Sequence, residues 1–135
     1  MTMLLAMKDI HKSFGPVRVL EDVRFDLRPS EVHILAGENG AGKSTLMKIL
    51  GGVYPDYSGT IELGETPVRF KSVQESAGGG ISIIYQELSL VGPLSVYENI
   101  FLGRERHRFS WLDRTGMKNE ARRLLAELGL CMDVE

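Results

Sequence analysis

One short stretch of the sequence combines glycines, a lysine and a hydroxyl residue at fixed spacing. Residues 37–44 are Gly-Glu-Asn-Gly-Ala-Gly-Lys-Ser, which matches the pattern G-x-x-x-x-G-K-[ST] at every fixed position. Glycines let a backbone wrap closely around a phosphate with its N–H groups pointing inward, and the lysine adds a full positive charge. The pattern predicts a loop that binds nucleotide phosphates, with an ordinary glycine-rich turn as the alternative.

The residues of this loop have distinct predicted roles. Backbone N–H groups are expected to meet the phosphate charge, helped by the positive end of the following helix. Lys43 would hold the β- and γ-phosphates, Ser44 would place its hydroxyl on Mg²⁺, and Thr45 would reach the α-phosphate. The predicted phosphate-binding residues are Asn39, Gly40, Ala41, Gly42, Lys43, Ser44 and Thr45.

Such a loop needs a strand before it and a helix after it. Residues 32–36 form a nearly continuous apolar run that ends at the loop, which predicts a strand buried on both faces of a sheet. Residues 44–50 carry apolar side chains at helical spacing and stop at two glycines, which predicts a short helix. The context of the loop therefore agrees with its pattern.

The remaining elements follow from hydrophobic spacing and turn residues. Strands are predicted at residues 3–10 and 17–27, a hairpin outside the main sheet at 61–63 and 68–70, and another buried strand at 81–84. A capping box formed by Ser95 and Glu98 opens a helix through residue 102, and apolar residues on one face indicate a final helix over 117–128.

Size and charge limit the possible functions. The 135 residues include 43% hydrophobic and 25% charged residues, as in an ordinary globular domain. The formal net charge of -2 provides no basic field for a nucleic acid, which is therefore not an expected partner. No run approaches the roughly 20 apolar residues of a membrane span. The single Cys131 cannot form an internal disulfide and is expected to be a small core residue in a reducing compartment.

Three segments together point to a family. Residues 12–15 (Lys-Ser-Phe-Gly), the loop at 37–45 and residues 84–87 (Ile-Tyr-Gln-Glu) resemble the ATP-binding-cassette family over essentially the whole chain. The resemblance implies an α/β P-loop NTPase fold: an incomplete cassette core, an antiparallel β subdomain and the start of a helical subdomain. Residues 1–135 would form the amino-terminal part of one nucleotide-binding domain, containing its A-loop, Walker A motif and Q-loop.

The same resemblance assigns residues outside the loop. Phe14 stands where the family has an aromatic that stacks on adenine, and Val19 where a small apolar residue lies beside the base. Gln86 matches the Q-loop glutamine that reaches Mg²⁺ or the attacking water, so the implied catalytic residues are Lys43 and Gln86 and the implied metal ligands Ser44 and Gln86. From the residues alone, Phe14 would be a core aromatic and Gln86 a solvated polar side chain.

Residues 86–105 are similar to a narrower group, the bacterial importers of ribose, galactosides, arabinose and xylose. This similarity implies an ATPase subunit that uses ATP and Mg²⁺ to drive sugar uptake from the cytoplasmic face of the inner membrane. The implied partners are an integral-membrane sugar permease, a second nucleotide-binding domain and, through the permease, an extracytoplasmic sugar-binding protein.

Several family motifs lie outside these residues. The Walker B carboxylates, the signature sequence and the late histidine are absent from the 135 residues, so the chain is expected to be an amino-terminal part of a longer protein that binds ATP without hydrolysing it. A GTPase would need Asn-Lys-x-Asp, which residues 117–120 (Met-Lys-Asn-Glu) do not supply. A soluble cassette protein of DNA repair or translation is a further alternative.

Two further expectations concern surfaces. The segment 87–102 follows Gln86 and carries several apolar residues, so it is expected to dock on the permease, with packing inside the cassette's own helical subdomain as the alternative. The basic residues Lys12, Arg18, Arg69 and Arg104 are expected to be ordinary solvated surface side chains.

Overall fold

The computed structural model describes residues 3–84, 90–108 and 110–135. These residues form two compact units, Met1–Ile84 and Tyr85–Glu135. Each unit has its own hydrophobic core.

The first unit is built on a four-stranded antiparallel sheet of order β2-β1-β3-β4. Its strands are β1 (Leu5–Phe14), β2 (Val17–Leu27), β3 (Ser58–Leu63) and β4 (Thr66–Val68). Two helices belong to the same unit, α1 (Lys43–Leu50) and α2 (Val73–Gly78). The predicted hairpin is formed by β3 and β4, and it joins this antiparallel sheet through the pairing of β3 with β1.

A bulge in β1 changes which side chains face the core. Between Met7 and Ile10, β1 advances three residues while β2 advances two, and Asp9 has a φ of 52°. Side chains alternate between the two faces of a strand, so one extra residue moves the inward positions from odd to even numbers. The residues of β1 in the core of the first unit accordingly change from Leu5 and Met7 to Ile10, and Lys12 is buried two residues further on.

The neighbouring strand β3 is adapted to this bulge by a glycine. Gly59 has a φ of +100°, and a Cβ at this position would lie 2.6 Å from the carbonyl oxygen of Lys8 and 2.7 Å from the carbonyl carbon of Asp9. Any larger residue would therefore strike the backbone of the bulge itself, which cannot move aside as a flexible side chain could.

Helix α1 packs its apolar face against one face of the sheet. Leu46, Ile49 and Leu50 are buried with side chains from all three longer strands. This packing fixes the direction of α1, and with it the position of the loop before it. The core of the first unit consists of Leu5, Met7, Ile10, Leu20, Leu46, Ile49, Leu50, Tyr57 and Ile61.

Two predicted strands are not formed. Residues 32–36 and 81–84 have no assigned strand within the described part of the chain, and Val32, Ile34 and Ile84 are 91%, 82% and 97% exposed. A strand buried on both faces takes its hydrogen bonds and its burial from neighbouring strands. No described strand pairs with either segment, so their apolar character alone does not make them strands.

The second unit contains α3 (Val96–Phe101), α4 (Arg114–Glu127) and a two-stranded ladder of β5 (His107–Arg108) and β6 (Trp111–Leu112). The predicted capping box is present, since Glu98 accepts from Ser95 N–H at 2.9 Å. The core joins the two helices and contains Tyr97, Phe101, Met117, Ala121, Leu125 and Val134. Cys131 is exposed rather than buried. Within the residues described, none of the helices is long and apolar enough to span a bilayer.

The bulge gives a stability prediction. Gly59→Ala should lower the free energy of unfolding by about 2–4 kcal/mol, because the substitution adds strain at positive φ and a backbone clash. Gly64→Ala is the matched control, since Gly64 has a φ of +60° with nothing within 4 Å of an added Cβ, and it should cost only about 1 kcal/mol. Urea unfolding of both variants measures the difference, and equal losses would mean that Gly59 is kept for its φ alone.

Candidate nucleotide-binding site

The glycine-rich loop has the backbone conformation that its sequence predicts. Gly40 and Gly42 have φ values of +89° and +84°, a region that other L-residues rarely adopt. The N–H of Ala41 donates to the carbonyl oxygen of Glu38 at 3.2 Å, which closes a turn between them. Helix α1 begins directly after Gly42, so the loop and the helix form one continuous unit.

The start of α1 has no side-chain cap. Gly42 is the N-cap and has no side chain, whereas Ser72 caps α2 and Asp113 caps α4 by accepting backbone hydrogen bonds. The first N–H groups of a helix have no partner within the helix and carry its positive end. In α1 these N–H groups, including those of Lys43, Ser44 and Thr45, are therefore available to donate hydrogen bonds to an anion.

Lys43 turns back into the loop. Its Nζ donates to the carbonyl oxygens of Gly37 at 2.6 Å and Glu38 at 2.7 Å. The ammonium thus sits against the same turn that the hydrogen bond between Ala41 and Glu38 closes. This position lets Lys43 add a full positive charge to the backbone dipoles of the loop.

The loop lies against strand β2. A Cβ on Gly42 would be 2.6 Å from Leu20 Cδ2 and 2.9 Å from the carbonyl oxygen of Val19. Gly42 is therefore required for close packing as well as for its positive φ. The contact brings Val19, one of the residues assigned by family resemblance, beside the phosphate loop.

Phe14 ends β1 and pairs across the sheet with Val17. Its side chain is 41% exposed, and its ring meets the ring of Tyr54 edge-on, with centroids 5.2 Å apart and an interplanar angle of 73°. Tyr54 follows α1 closely, and its N–H donates to the carbonyl oxygen of Lys48 at 3.3 Å. Phe14 is thus a partly exposed aromatic fixed beside the end of α1, rather than a core residue.

The sequence-based interpretation of Lys12 as a solvated surface residue was wrong. Lys12 is 5% exposed, and its ammonium donates to the carbonyl oxygen and to Oδ2 of Asp56 at 2.7 and 2.6 Å. This bond holds the pKa of the Asp56 carboxyl below its usual value. No signal in the sequence separates Lys12 from other lysines, because its burial depends on the bulge at Asp9.

The loop offers few ligands for a metal ion. Ser44 is exposed at the start of α1 and Thr45 is half-buried. Among the described residues, no group of three or more His, Cys, Asp or Glu is placed to hold a metal. Gln86 lies outside the described residues.

The loop, helix α1 and the antiparallel sheet together define a mixed α/β P-loop domain. Residues 20–133 match the family described as ABC transporter. The chain therefore belongs to the ABC transporter family.

Curated relatives cover nearly all of this chain. It is 52% identical over 127 residues to the ribose import ATP-binding protein RbsA of Chromobacterium violaceum, covering 94% of this chain and 25% of that protein. It is 48% identical over 134 residues to the xylose import ATP-binding protein XylG of Geobacillus kaustophilus, covering 98% of this chain and 27% of that protein. The chain thus spans about a quarter of the length of these relatives.

Solved structures agree on the fold. One is a nucleotide-free ATP-binding cassette from an ABC transporter. The alignment covers 95% of this chain and 55% of the cassette chain, with a TM-score of 0.79 at 24% identity. For a second ATP-binding cassette of an ABC transporter, the alignment covers 96% of this chain and 55% of the cassette chain, with a TM-score of 0.76 at 25% identity. The predicted fold class, an α/β cassette with an antiparallel β portion, is confirmed.

The contacts of Lys43 give a prediction for the ligand-free protein. Lys43→Met removes two hydrogen bonds to the loop but adds no charge or clash. Amide hydrogens of residues 37–42 should exchange about three to ten times faster, the effect of losing roughly 1 kcal/mol of local stabilisation. Lys48→Met, at the last turn of the same helix, is the control and should leave that exchange unchanged. Mass-spectrometric hydrogen exchange checks both, and equal exchange in the loop of all three proteins would contradict the holding role of Lys43.

Proposed function

We propose that this site binds ATP together with Mg²⁺. The observation that carries the proposal is the ammonium of Lys43 held against the loop carbonyls at 2.6 and 2.7 Å, next to a helix start without a side-chain cap. An anion placed there accepts hydrogen bonds from the backbone and from Lys43 at once. The phosphate-binding residues of the proposal are Asn39, Gly40, Ala41, Gly42, Lys43, Ser44 and Thr45.

The base of the nucleotide is proposed to stack on Phe14 and to lie beside Val19. Phe14 is partly exposed and flanks the end of α1, while Val19 contacts Gly42 at its beginning. Aromatic stacking needs only a flat π-face. A ligand with a base and a phosphate chain could therefore reach both residues along one helix.

The metal ion is proposed to bind Ser44 Oγ and the phosphates. Bound Mg²⁺ neutralises charge on the β- and γ-phosphates. Gln86 is proposed to reach Mg²⁺ or the attacking water, and with Lys43 it makes up the proposed catalytic set.

Two variants and two ligands test the site. Inorganic triphosphate has no base, so Lys43→Ala should weaken binding of both Mg-ATP and triphosphate, by about tenfold or more for a lost charge-assisted contact. Phe14→Ala should weaken ATP by about fivefold or more, in line with base–aromatic stacking, and leave triphosphate unchanged. Isothermal titration calorimetry gives the dissociation constants of both ligands for the unsubstituted protein and for the two variants.

The control is Trp111→Ala, which removes an exposed aromatic side chain of the second unit. It should leave the dissociation constants of both ligands unchanged. Equal triphosphate losses in the Phe14 and Lys43 variants would reject Phe14 as the base platform. Unchanged binding of both ligands in Lys43→Ala would reject the phosphate site itself.

For the whole protein, we propose an ATPase subunit of a sugar importer. The support is the similarity to relatives named for ribose and xylose import. The proposed partners are an integral-membrane sugar permease, a second nucleotide-binding domain and an extracytoplasmic sugar-binding protein reached through the permease. The proposed location is the cytoplasmic face of the inner membrane, as a peripheral subunit. We also predict that these 135 residues bind ATP without hydrolysing it. An assay of phosphate release tests this prediction.

Docking on the permease is proposed for only part of segment 87–102. Leu90 and Val91 are exposed, as a docking surface requires. Tyr97 and Phe101 are buried with Met117 in the core of the second unit, so this part of the segment packs internally. Glu87, Leu88 and Ser89 lie outside the described residues.

Cysteine crosslinking tests the docking proposal. In the full-length protein, with Cys131→Ser removing the exposed thiol of this region, Glu87→Cys and Ser89→Cys should crosslink to permease loops with a yield that changes on ATP binding. Glu127→Cys, on the exposed end of α4, is the control and should give little product. Efficient crosslinks from the control but none from Glu87→Cys or Ser89→Cys, with or without ATP, would place docking elsewhere.

A further inference from the structure

A buried lysine lies beside the proposed base platform. Lys12 and Phe14 are two residues apart on β1, beyond the bulge at Asp9, and therefore share a face of the strand. Lys12 is 5% exposed, although a lysine is almost never fully buried unless it is paired. None of the proposed phosphate or metal contacts uses it.

The ammonium of Lys12 is held from one side by Asp56. The carboxylate and the carbonyl oxygen of Asp56 both accept hydrogen bonds from it, at 2.6 and 2.7 Å. The segment containing Asp56 is itself fixed, because Arg69 donates to the carbonyl oxygens of Pro55 and Tyr57 at 3.1 and 2.7 Å. The position of the charge is therefore set by the backbone and not only by a mobile carboxylate.

The ammonium also lies close to two aromatic rings. Lys12 Nζ lies over the ring of Phe14, 4.8 Å from its centroid, and 5.5 Å from the centroid of Tyr54. Both distances fall within the roughly 6 Å over which a cation is attracted to a ring. The edge-on contact between the two rings completes a three-membered cluster, which restrains a Phe14 side chain that is otherwise 41% exposed.

We propose that Lys12 is a positioning residue for nucleotide binding, which acts through Phe14 on the base and not on the phosphates. The proposal rests on the nucleotide site proposed above. Lys12 fixes the orientation of the ring, and its charge draws π-electron density toward one face. The opposite face then repels the electron-rich ring of adenine less.

The cluster also links the two ends of the proposed site. Tyr54 and Val53 donate their N–H groups to the carbonyl oxygen of Lys48, at 3.3 and 2.9 Å, at the end of α1. The helix that begins at the phosphate loop thus ends against the ring cluster. Through its bonds to Asp56, Lys12 joins β1 to the segment that follows α1. This contact holds the proposed base platform at a set distance from the proposed phosphate site.

The test measures base recognition as a selectivity ratio, the dissociation constant of inorganic triphosphate divided by that of Mg-ATP. Lys12→Met should lower this selectivity ratio about three- to tenfold, the range of a cation–π contribution, with little change for triphosphate. Lys12→Arg keeps a charge that can bond to Asp56 and lie on the ring, so its ratio should stay within about twofold of the original. A role in stability alone would not move the ratio in this pattern.

Lys8→Met is the matched control. Lys8 lies on the same strand and pairs with Glu62 at 2.7 Å, but among the described residues it has no cation–π contact with an aromatic ring. The variant removes the same charge and the same kind of ion pair, so it should leave the ratio unchanged. Any general effect of net charge on anionic ligands is thereby subtracted.

Asp56→Ala decides the matter if Lys12→Met fails to fold. The Asp56 side chain is 80% exposed, so its loss should be tolerated. Removing the carboxylate takes away one of the two acceptors that hold the ammonium and should lower the ratio about two- to threefold. A lowered ratio in Phe14→Ala with an unchanged ratio in Lys12→Met or Asp56→Ala would overturn the positioning role alone. An unchanged ratio in Phe14→Ala would overturn the base platform and, with it, this inference. An equal loss of affinity for both ligands in Lys12→Met would mean that the lysine acts through its general charge or through stability, and would overturn the positioning role.

Discussion

The single extra residue of β1 at Asp9 is the constraint on which the candidate site depends. Before this bulge the inward side chains are Leu5 and Met7, and after it they are Ile10 and Lys12. Without the shift, Lys12 and Phe14 would point to the opposite face of the sheet. The bulge is possible because Gly59 on the neighbouring strand leaves room for its backbone. A local backbone feature thus decides where a charge and an aromatic ring are presented.

The packing of helix α1 on the sheet sets the position of the glycine-rich loop before it. Its apolar face is anchored in the core through Ile49 and its neighbours, while its first turn is left without a cap by Gly42. Close contact of Gly42 with Val19 and Leu20 fixes the loop against β2. The same helix ends at the ring cluster of Phe14 and Tyr54. One short helix therefore joins the proposed phosphate contacts to the proposed base platform.

Apolar runs 32–36 and 81–84 illustrate a different constraint. Their composition is typical of strands buried on both faces, yet Val32, Ile34 and Ile84 are exposed and neither segment is hydrogen-bonded into a described sheet. Burial of such a strand is a property of the sheet and not of the strand. The antiparallel strands behave differently, because β1 finds its partners in β2 and β3 within the same unit.

The sequence by itself determined the glycine-rich loop, the helix after it, the span of β2 and the capping box of α3. These features depend on contacts between residues close in the chain: positive φ at Gly40 and Gly42, apolar spacing, and a side chain that caps its own helix. Only the tertiary structure decided that Lys12 is buried, that Phe14 meets Tyr54, and that Tyr97 packs internally. Each of these depends on residues distant in sequence or on a bulge that reverses the faces of a strand, and neither can be inferred from hydrophobic periodicity.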